Sequence, residues 1–360
     1  MLFQRKRKRE HRSKGVGQLK IERRTLLTAL LIFVSVCVSL LPCALIVSEP
    51  LFHSLQKKVL GKSFRHRICE LLPQCKSPAG SIVICGDSRA QRHVNARLLS
   101  ALSGLPCVNL GVESGDLTVC CSIFREFPEV LNNGKNLVVI SMSPFQANDG
   151  ALKLGYQSAA SFVEMPFADR IRLYYSSLAG LWDMYVGIYR EQAEITRDAG
   201  AGCCGRHRGT FDSTRGFLGI EDIAWDGTIG ANYAIPGCPW YRQPHIHGVR
   251  WVQIRRIVEK MGKMPTRFIF YAPPVSQVYR KYLHTTVGFA MDSTFNANME
   301  SLVGPFSTMK FIDFYSDTTL CIPDSLFYDP AHLNARGAVE FTRILHNRIM
   351  AWIGSGLGKG

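Results

Sequence analysis

Acidic residues are sparse in this sequence: 28 Asp and Glu stand against 43 Lys and Arg over 360 positions, for a formal charge of +15. There is no internal repeat and no sustained heptad pattern, which excludes a solenoid and a long coiled coil. Standard zinc spacing is missing. Cys203 and Cys204 are adjacent, and His245 and His247 form only a short H-x-H near His207 and Cys238. That set suits loop histidines and disulfides better than a metal. No small-x-small cleavage site follows the first apolar stretch, which argues against a cleaved signal peptide.

The positive charge that is present is local. Residues 1–24 hold ten Lys and Arg against Glu10 and Glu22, a surplus of eight, so only seven of the fifteen remain for the other 336 residues. Residues 25–47 then carry no charged side chain over 23 positions, where about 20 suffice to span a bilayer core. A basic tail beside such a segment reads as a topology signal and a contact with anionic head groups. A nucleic-acid partner is not expected. The reading is a cytoplasmic tail over 1–24, an uncleaved transmembrane signal anchor over 25–47, a stalk over 48–78, and an extracytoplasmic domain over 79–355. Lys57, Lys58, Lys62, Arg65 and Arg67 follow the anchor and temper the bias, yet the cytoplasmic N-terminus remains favoured. The resulting location is the cell inner or plasma membrane.

Twelve cysteines are many for a cytosolic enzyme. Outside the cytoplasm, Cys69 with Cys75, or Cys203 or Cys204 with Cys238, are plausible disulfides. Cys85 and Cys107 lie in apolar runs and read as buried small hydrophobes.

Strand-length runs rich in Val, Ile and Phe occur at residues 81–85, 107–110, 137–142, 267–271 and 310–314. Helix-compatible stretches lie between and after them, at about 90–103, 117–131, 248–261, 275–284, 291–303 and 335–353. Short continuous apolar strands alternating with helices predict an α/β fold, a three-layer doubly wound parallel sheet. Residues 155–247 break the rhythm and read as an insertion that covers or shapes a site. Trp225, Trp240 and Tyr241 within it read as packing residues, with stacking on sugar rings as the alternative.

Two constellations carry chemistry. In SIVICGDSRAQRHV an apolar run enters Gly86-Asp87-Ser88 and then a helix-compatible stretch. A serine on a tight turn at the carboxyl end of a parallel strand projects its hydroxyl from the sheet, beside free backbone N–H groups that can hold an oxyanion. Near the C-terminus, LFYDPAHLNARG sets Asp329 three positions before His332. On a turn that spacing lets the carboxylate orient the imidazole and leaves the other nitrogen as a base. His93, five residues after Ser88, is not the expected base; it reads as facing away or touching substrate. Arg89 and Arg92 read as surface cations, with an anionic glycan as the alternative.

Taken together, G-D-S on the first strand and D-x-x-H before the last helix resemble the first and last blocks of the SGNH/GDSL hydrolase superfamily. NLGVESGD adds a second block. The resemblance spans about residues 80–353 apart from the insertion. It implies Ser88 as nucleophile, His332 as base, Asp329 as its orienting partner, and an oxyanion hole from the N–H groups of Ser88 and Gly111. No cofactor and no metal are implied. The third block departs from the family pattern, because Asn148-Asp149 comes three residues later than expected. Asn148 reaches the site through a longer loop, or Ser143 or Gln146 replaces it, or that oxyanion donor is missing.

YAPPVSQVYRKYL and HLNARGAVEFT also resemble a membrane-anchored subgroup. It includes the D-alanyl transfer protein of teichoic acid modification and the SGNH-type proteins of alginate O-acetylation. That likeness implies a serine esterase or O-acyltransferase acting on acyl esters, often acetyl, of envelope or extracellular polysaccharide, with a membrane-bound O-acyltransferase as partner. The altered third block leaves an alternative: a non-catalytic domain serving such a partner in assembly or glycan binding.

Overall fold

The computed structural model describes residues 62–149, 209–235, 246 and 248–356, apart from 114, 213, 214, 221, 222, 231, 232, 287–289, 318 and 321. The chain divides into two units, Met1–Ser54 and Leu55–Gly360. In the first, Leu27, Thr28, Leu31, Ile32 and Ser35 are described, each helical. The basic tail and the rest of the anchor expected over 25–47 lie outside the described residues. So do residues 155–208 and 236–245 of the insertion. Among the described residues no helix is long and apolar enough to cross a membrane.

Five strands form one parallel sheet: β1 (Ile82–Cys85), β2 (Cys107–Asn109), β3 (Leu137–Ser141), β6 (Arg267–Ala272) and β7 (Met309–Asp313), in the spatial order β2-β1-β3-β6-β7. Between β3 and β6 in sequence, β4 (Gly209–Asp212) and β5 (Phe217–Ile220) make a separate antiparallel pair. Alternate strand residues face opposite sides. Val83, Cys85, Val138, Ile140, Phe268 and Phe270 lie in one buried cluster, while Ile82, Ile84, Leu137, Val139, Ile269 and Tyr271 lie in the other. A sheet apolar on both faces needs cover on both. Helices α1 (Lys62–Cys75), α4 (Leu117–Glu126), α5 (Val249–Met261) and α7 (Ala290–Val303) feed the first cluster. Helices α2 (Ser88–His93), α3 (Ala96–Ser103) and α8 (Ala335–Gly356) feed the second through Ala90, Leu99, Phe341, Leu345 and Ile349. The architecture fits a three-layer α/β domain.

Three expectations are corrected. The stalk read over 48–78 is, from Lys62 on, helix α1, whose Ile68, Leu71 and Cys75 are buried in the core. Cys69 and Cys75 are not a disulfide. Both are free thiols on that one helix, Cys69 exposed and Cys75 buried. Six residues of helix separate them by roughly 9 Å of rise, and burial pushes the Cys75 thiol up to about 12. The stretch read as one helix over about 90–103 is two, because Val94 is extended and the Asn95 side chain caps α3 by accepting from the Leu98 N–H at 3.0 Å. Cys85 and Cys107 are fully buried, as expected.

The chain leaves β1 toward β2 on one side and returns to β3 on the other. In open α/β sheets the crevice at the carboxyl ends beside such a reversal is where ligands bind. Ser88 follows β1 at that point.

Candidate active site

Gly86 makes the turn that delivers Ser88. Its φ is +128°, and a Cβ there would sit 2.7 Å from the Ser141 Cβ. Only glycine fits both constraints. Asp87 then caps α2, accepting from the N–H groups of Arg89 (3.0 Å) and Ala90 (3.4 Å). The same carboxylate accepts from the Arg89 guanidinium (3.1 and 3.3 Å), Ser141 Oγ (3.1 Å), Ser143 Oγ (3.3 Å) and Gln146 Nε2 (3.3 Å). Arg89 also donates to Ser143 Oγ and lies over the Phe145 ring at 4.7 Å. Every member of this group except Phe145 is buried. A carboxylate out of water survives when charge and hydrogen bonds compensate it, and here they lock the turn below Ser88.

The imidazole comes from a different place. β8 (Phe327–Asp329) and β9 (His332–Leu333) pair antiparallel, with Asp329 opposite His332. Asp329 Oδ1 accepts from the N–H groups of Ala331 and His332, each at 2.8 Å. Asp329 Oδ2 faces His332 Nδ1 at 2.8 Å. His332 Nε2 lies 2.8 Å from Ser88 Oγ, across 244 residues of sequence. The three residues brought together are those the two motifs predict. Burial would raise the Asp329 carboxyl, but the His332 charge, its hydrogen bond, the Ala331 N–H and the Tyr233 hydroxyl outweigh that and hold it below the usual carboxylate range. It is an anion whenever the imidazole needs one.

The chain matches no family model, no curated protein and no solved structure.

The residues expected to hold an oxyanion are less simply arranged. A Cβ on Gly111 would meet the Gln91 backbone nitrogen at 2.5 Å, so glycine is needed for β2's loop to pack on α2. Its N–H donates to Asn109 Oδ1 at 2.9 Å, and Asn109 Nδ2 donates to the Ala90 and Val94 carbonyls (2.7 and 2.9 Å). Among the described residues no partner is found for the Ser88 N–H. Ser143 and Gln146, the candidate substitutes for an oxyanion donor, are both bonded to Asp87. Asn148 is fully buried at the end of the turn that follows Ser143. The displaced Asn148-Asp149 pair has a structural explanation. Asp149 accepts from the N–H groups of Val249 (3.0 Å) and Arg250 (2.9 Å), capping α5 from across the long connection.

Arg89 and Arg92 are not surface cations. Both guanidiniums are about 3% exposed, Arg89 paired with Asp87 and Arg92 with the exposed Glu113 at 2.8 Å. A second buried pair, Asp116 with Arg250 at 3.5 Å, lies beside Gln146, whose carbonyl accepts from Arg250 at 3.3 Å. Each buried charge thus has an opposite partner. Trp225 is part-buried, its Nε1–H on the Thr228 carbonyl at 2.9 Å. Trp240, Tyr241, Cys203, Cys204, Cys238, His207, His245 and His247 lie outside the described residues. No group of acidic, His and Cys side chains among the described residues is placed to hold a metal.

Sequence reasoning missed Tyr233. Its hydroxyl donates to Asp329 Oδ2 at 2.9 Å and lies 3.3 Å from His332 Nδ1. Burial, then the Asp329 charge, push this phenol upward, so it stays a donor. Its ring meets Tyr279 of α6 (Gln277–Thr286) edge-on at 5.5 Å, and the next turn is tied down by Ile235 N–H to Tyr282 Oη at 2.8 Å. The only hint was the aromatic pair Tyr279 and Tyr282 in YAPPVSQVYRKYL, three apart on one helix face.

The arrangement can pass the Ser88 proton to His332 Nε2, with the charge that forms met by Asp329.

Proposed function

We propose that this chain is a membrane-anchored, extracytoplasmic serine esterase or O-acyltransferase of SGNH/GDSL type. Its substrates are acyl esters, often acetyl, on envelope or extracellular polysaccharide. The observation that carries the reading is the 2.8 Å approach of Ser88 Oγ to His332 Nε2, with Asp329 on the far nitrogen. Ser88 Oγ attacks the acyl carbonyl while its proton moves to His332 Nε2. His332 then returns the proton to the departing alkoxide, leaving an acyl-Ser88 ester. Water, or a sugar hydroxyl, takes the acyl group by the reverse sequence. The Ser88 N–H serves the oxyanion. The Gly111 N–H joins only by leaving Asn109 Oδ1. Exposed Leu27, Leu31 and Ile32 in helical conformation support the anchor, and a membrane-bound O-acyltransferase is the proposed partner.

A serine-directed fluorophosphonate tests the chemistry. Labelling of the wild type that disappears in Ser88→Ala is the expected result. The committed Gly111 N–H favours one second reading, a non-catalytic partner of the acyltransferase. Folded wild-type protein that takes no label would establish it over the first. The glycan assignment is tested separately, by comparing envelope ester content in cells carrying the wild type and Ser88→Ala; equal content sinks it.

A further inference from the structure

His93 has no part in the proton path, yet it is fully buried beside it. It closes helix α2, whose first residue is Ser88. Its ring stands edge-on to the His332 ring, with centroids 6.1 Å apart, and edge-on to Phe341 of α8 at 6.0 Å. Its Nε2 accepts the Leu333 N–H at 3.2 Å. Leu333 is the residue next to His332 and the last of β9. One imidazole therefore touches the base's ring and fixes the base's backbone.

The acceptor role determines the chemistry of this ring. A nitrogen that accepts carries no proton, so neutral His93 has its proton on Nδ1. Nδ1 is buried and finds no hydrogen-bond partner among the described residues. Protonation at Nε2 would delete the bond to Leu333 and set a second cation against His332. The groups facing His93 are His332 and Asp329 from the β8–β9 hairpin and Arg89 and Arg92 from its own helix. From α8 come Phe341 and Thr342, the latter with its hydroxyl 3.5 Å from the His93 carbonyl. Burial first, then the charges of His332 and Arg89, push His93 well below the ordinary histidine range; Asp329 opposes them and Arg92 adds to them. The imidazole that charges is next to one that is kept from charging.

We propose that His93 is a positioning residue for His332. Its uncharged ring holds the end of the β8–β9 hairpin through Leu333 and abuts the base, so that His332 Nε2 stays on Ser88 Oγ. The inference rests on the esterase reading for its kinetic consequence, but not for its structural one.

The test has two arms. In the wild-type full chain with 15N-labelled histidine, NMR is expected to find His93 neutral with the proton on Nδ1 from pH 5 to 8. A proton on Nε2, or a titration within that range, would overturn the proposal even if the protein has no activity. The second arm uses p-nitrophenyl acetate. His93→Phe keeps a ring edge and loses the acceptor, while His93→Gln offers a carbonyl oxygen in its place. His93→Phe is expected to lower kcat about tenfold with KM unchanged, the scale of one lost hydrogen bond at the reacting base. His93→Gln should recover most of kcat. If His93→Phe and His93→Gln fall equally, His93 is only packing. Wild-type protein that neither hydrolyses the ester nor takes the fluorophosphonate defeats the esterase reading instead, and the NMR arm still decides the role of His93.

Discussion

Ser88 and His332 meet at one hydrogen bond but are held in unlike ways. Ser88 stands on a turn fixed from beneath. Gly86 admits the bend, Asp87 caps the helix, and Arg89, Ser141, Ser143 and Gln146 converge on that one carboxylate. Most of these residues lie within a few positions of β1 or at the end of its neighbour β3. His332 stands on a hairpin of five residues plus its turn and is steadied by rings from far away: Tyr233 beyond the small β4–β5 pair, and His93 from the helix of its own target. Ser88 is set by buried charge from below, His332 by the Asp329 carboxylate and, around it, by the neutral donors and acceptors of Tyr233 and His93. Loss of a part should therefore do different things on the two sides. A break beneath Ser88 strands a buried charge and costs stability; a break around His332 leaves the fold intact and costs rate.

The largest effect should erase the contrast. Ser88→Ala and His332→Ala are each expected to lower kcat on a simple ester by up to about 10⁶-fold, and the double variant by no more, since parts of one unit are not additive. A double variant markedly worse than either single would mean that the two side chains do not act as one unit. The next effect isolates the nucleophile side. Asp87→Ala leaves Arg89 buried without its partner, a loss of about 3–5 kcal/mol, read as a fall in the urea midpoint at unchanged slope. A variant as stable as the wild type would show that the carboxylate is not the keystone of the turn.

Tyr233→Phe isolates the other side. One hydrogen bond to a charged group is removed, worth about 1.5–3 kcal/mol, and it should appear in kcat while the urea midpoint at pH 7 moves much less. The pH dependence follows from the direction of the Asp329 shift. A carboxyl held below its ordinary 3.8 stabilises the fold above that value and loses the contribution as pH falls toward its folded-state value. Without the Tyr233 donor that loss should be smaller and complete at a higher pH. Stability measured from pH 7 to 2 checks this, and superimposable wild-type and Tyr233→Phe curves would refute it. Asp149→Ala should have the smallest effect. It removes a helix cap that bonds to neither side chain, about 1 kcal/mol, with kcat unchanged. A fall in kcat would tie the cap to the site.

The same asymmetry explains what could be read from the sequence. The five strands were legible because each is a short apolar run between turn residues, and both faces of a parallel sheet are buried. Ser88, Asp329 and His332 were legible because each sits in a local motif whose spacing has a mechanical meaning. Arg89 and Arg92 were misread as surface cations. Nothing in a run of letters shows that Asp87 and Glu113 will meet them. Tyr233 and His93 were missed in their roles for the same reason: their partners lie 96 and 240 positions away. Helix α1 was misread as stalk because its mean hydropathy is low and Pro73 falls within it, while among its described side chains Ile68, Leu71 and Cys75 are buried in the core.

Asp149 has a consequence beyond capping. It is the last described residue before a long connection, and the N–H groups it holds belong to Val249 and Arg250, at that connection's far end. Entry and exit therefore share a single carboxylate. Closing such a loop costs only about 0.6 kcal/mol more for each doubling of its length. The entropy of closure therefore depends little on how much chain is spliced in at that clasp. This is the kind of place where a fold can acquire or shed a segment, and with it a residue such as Tyr233, while β3 and α5 stay where they are.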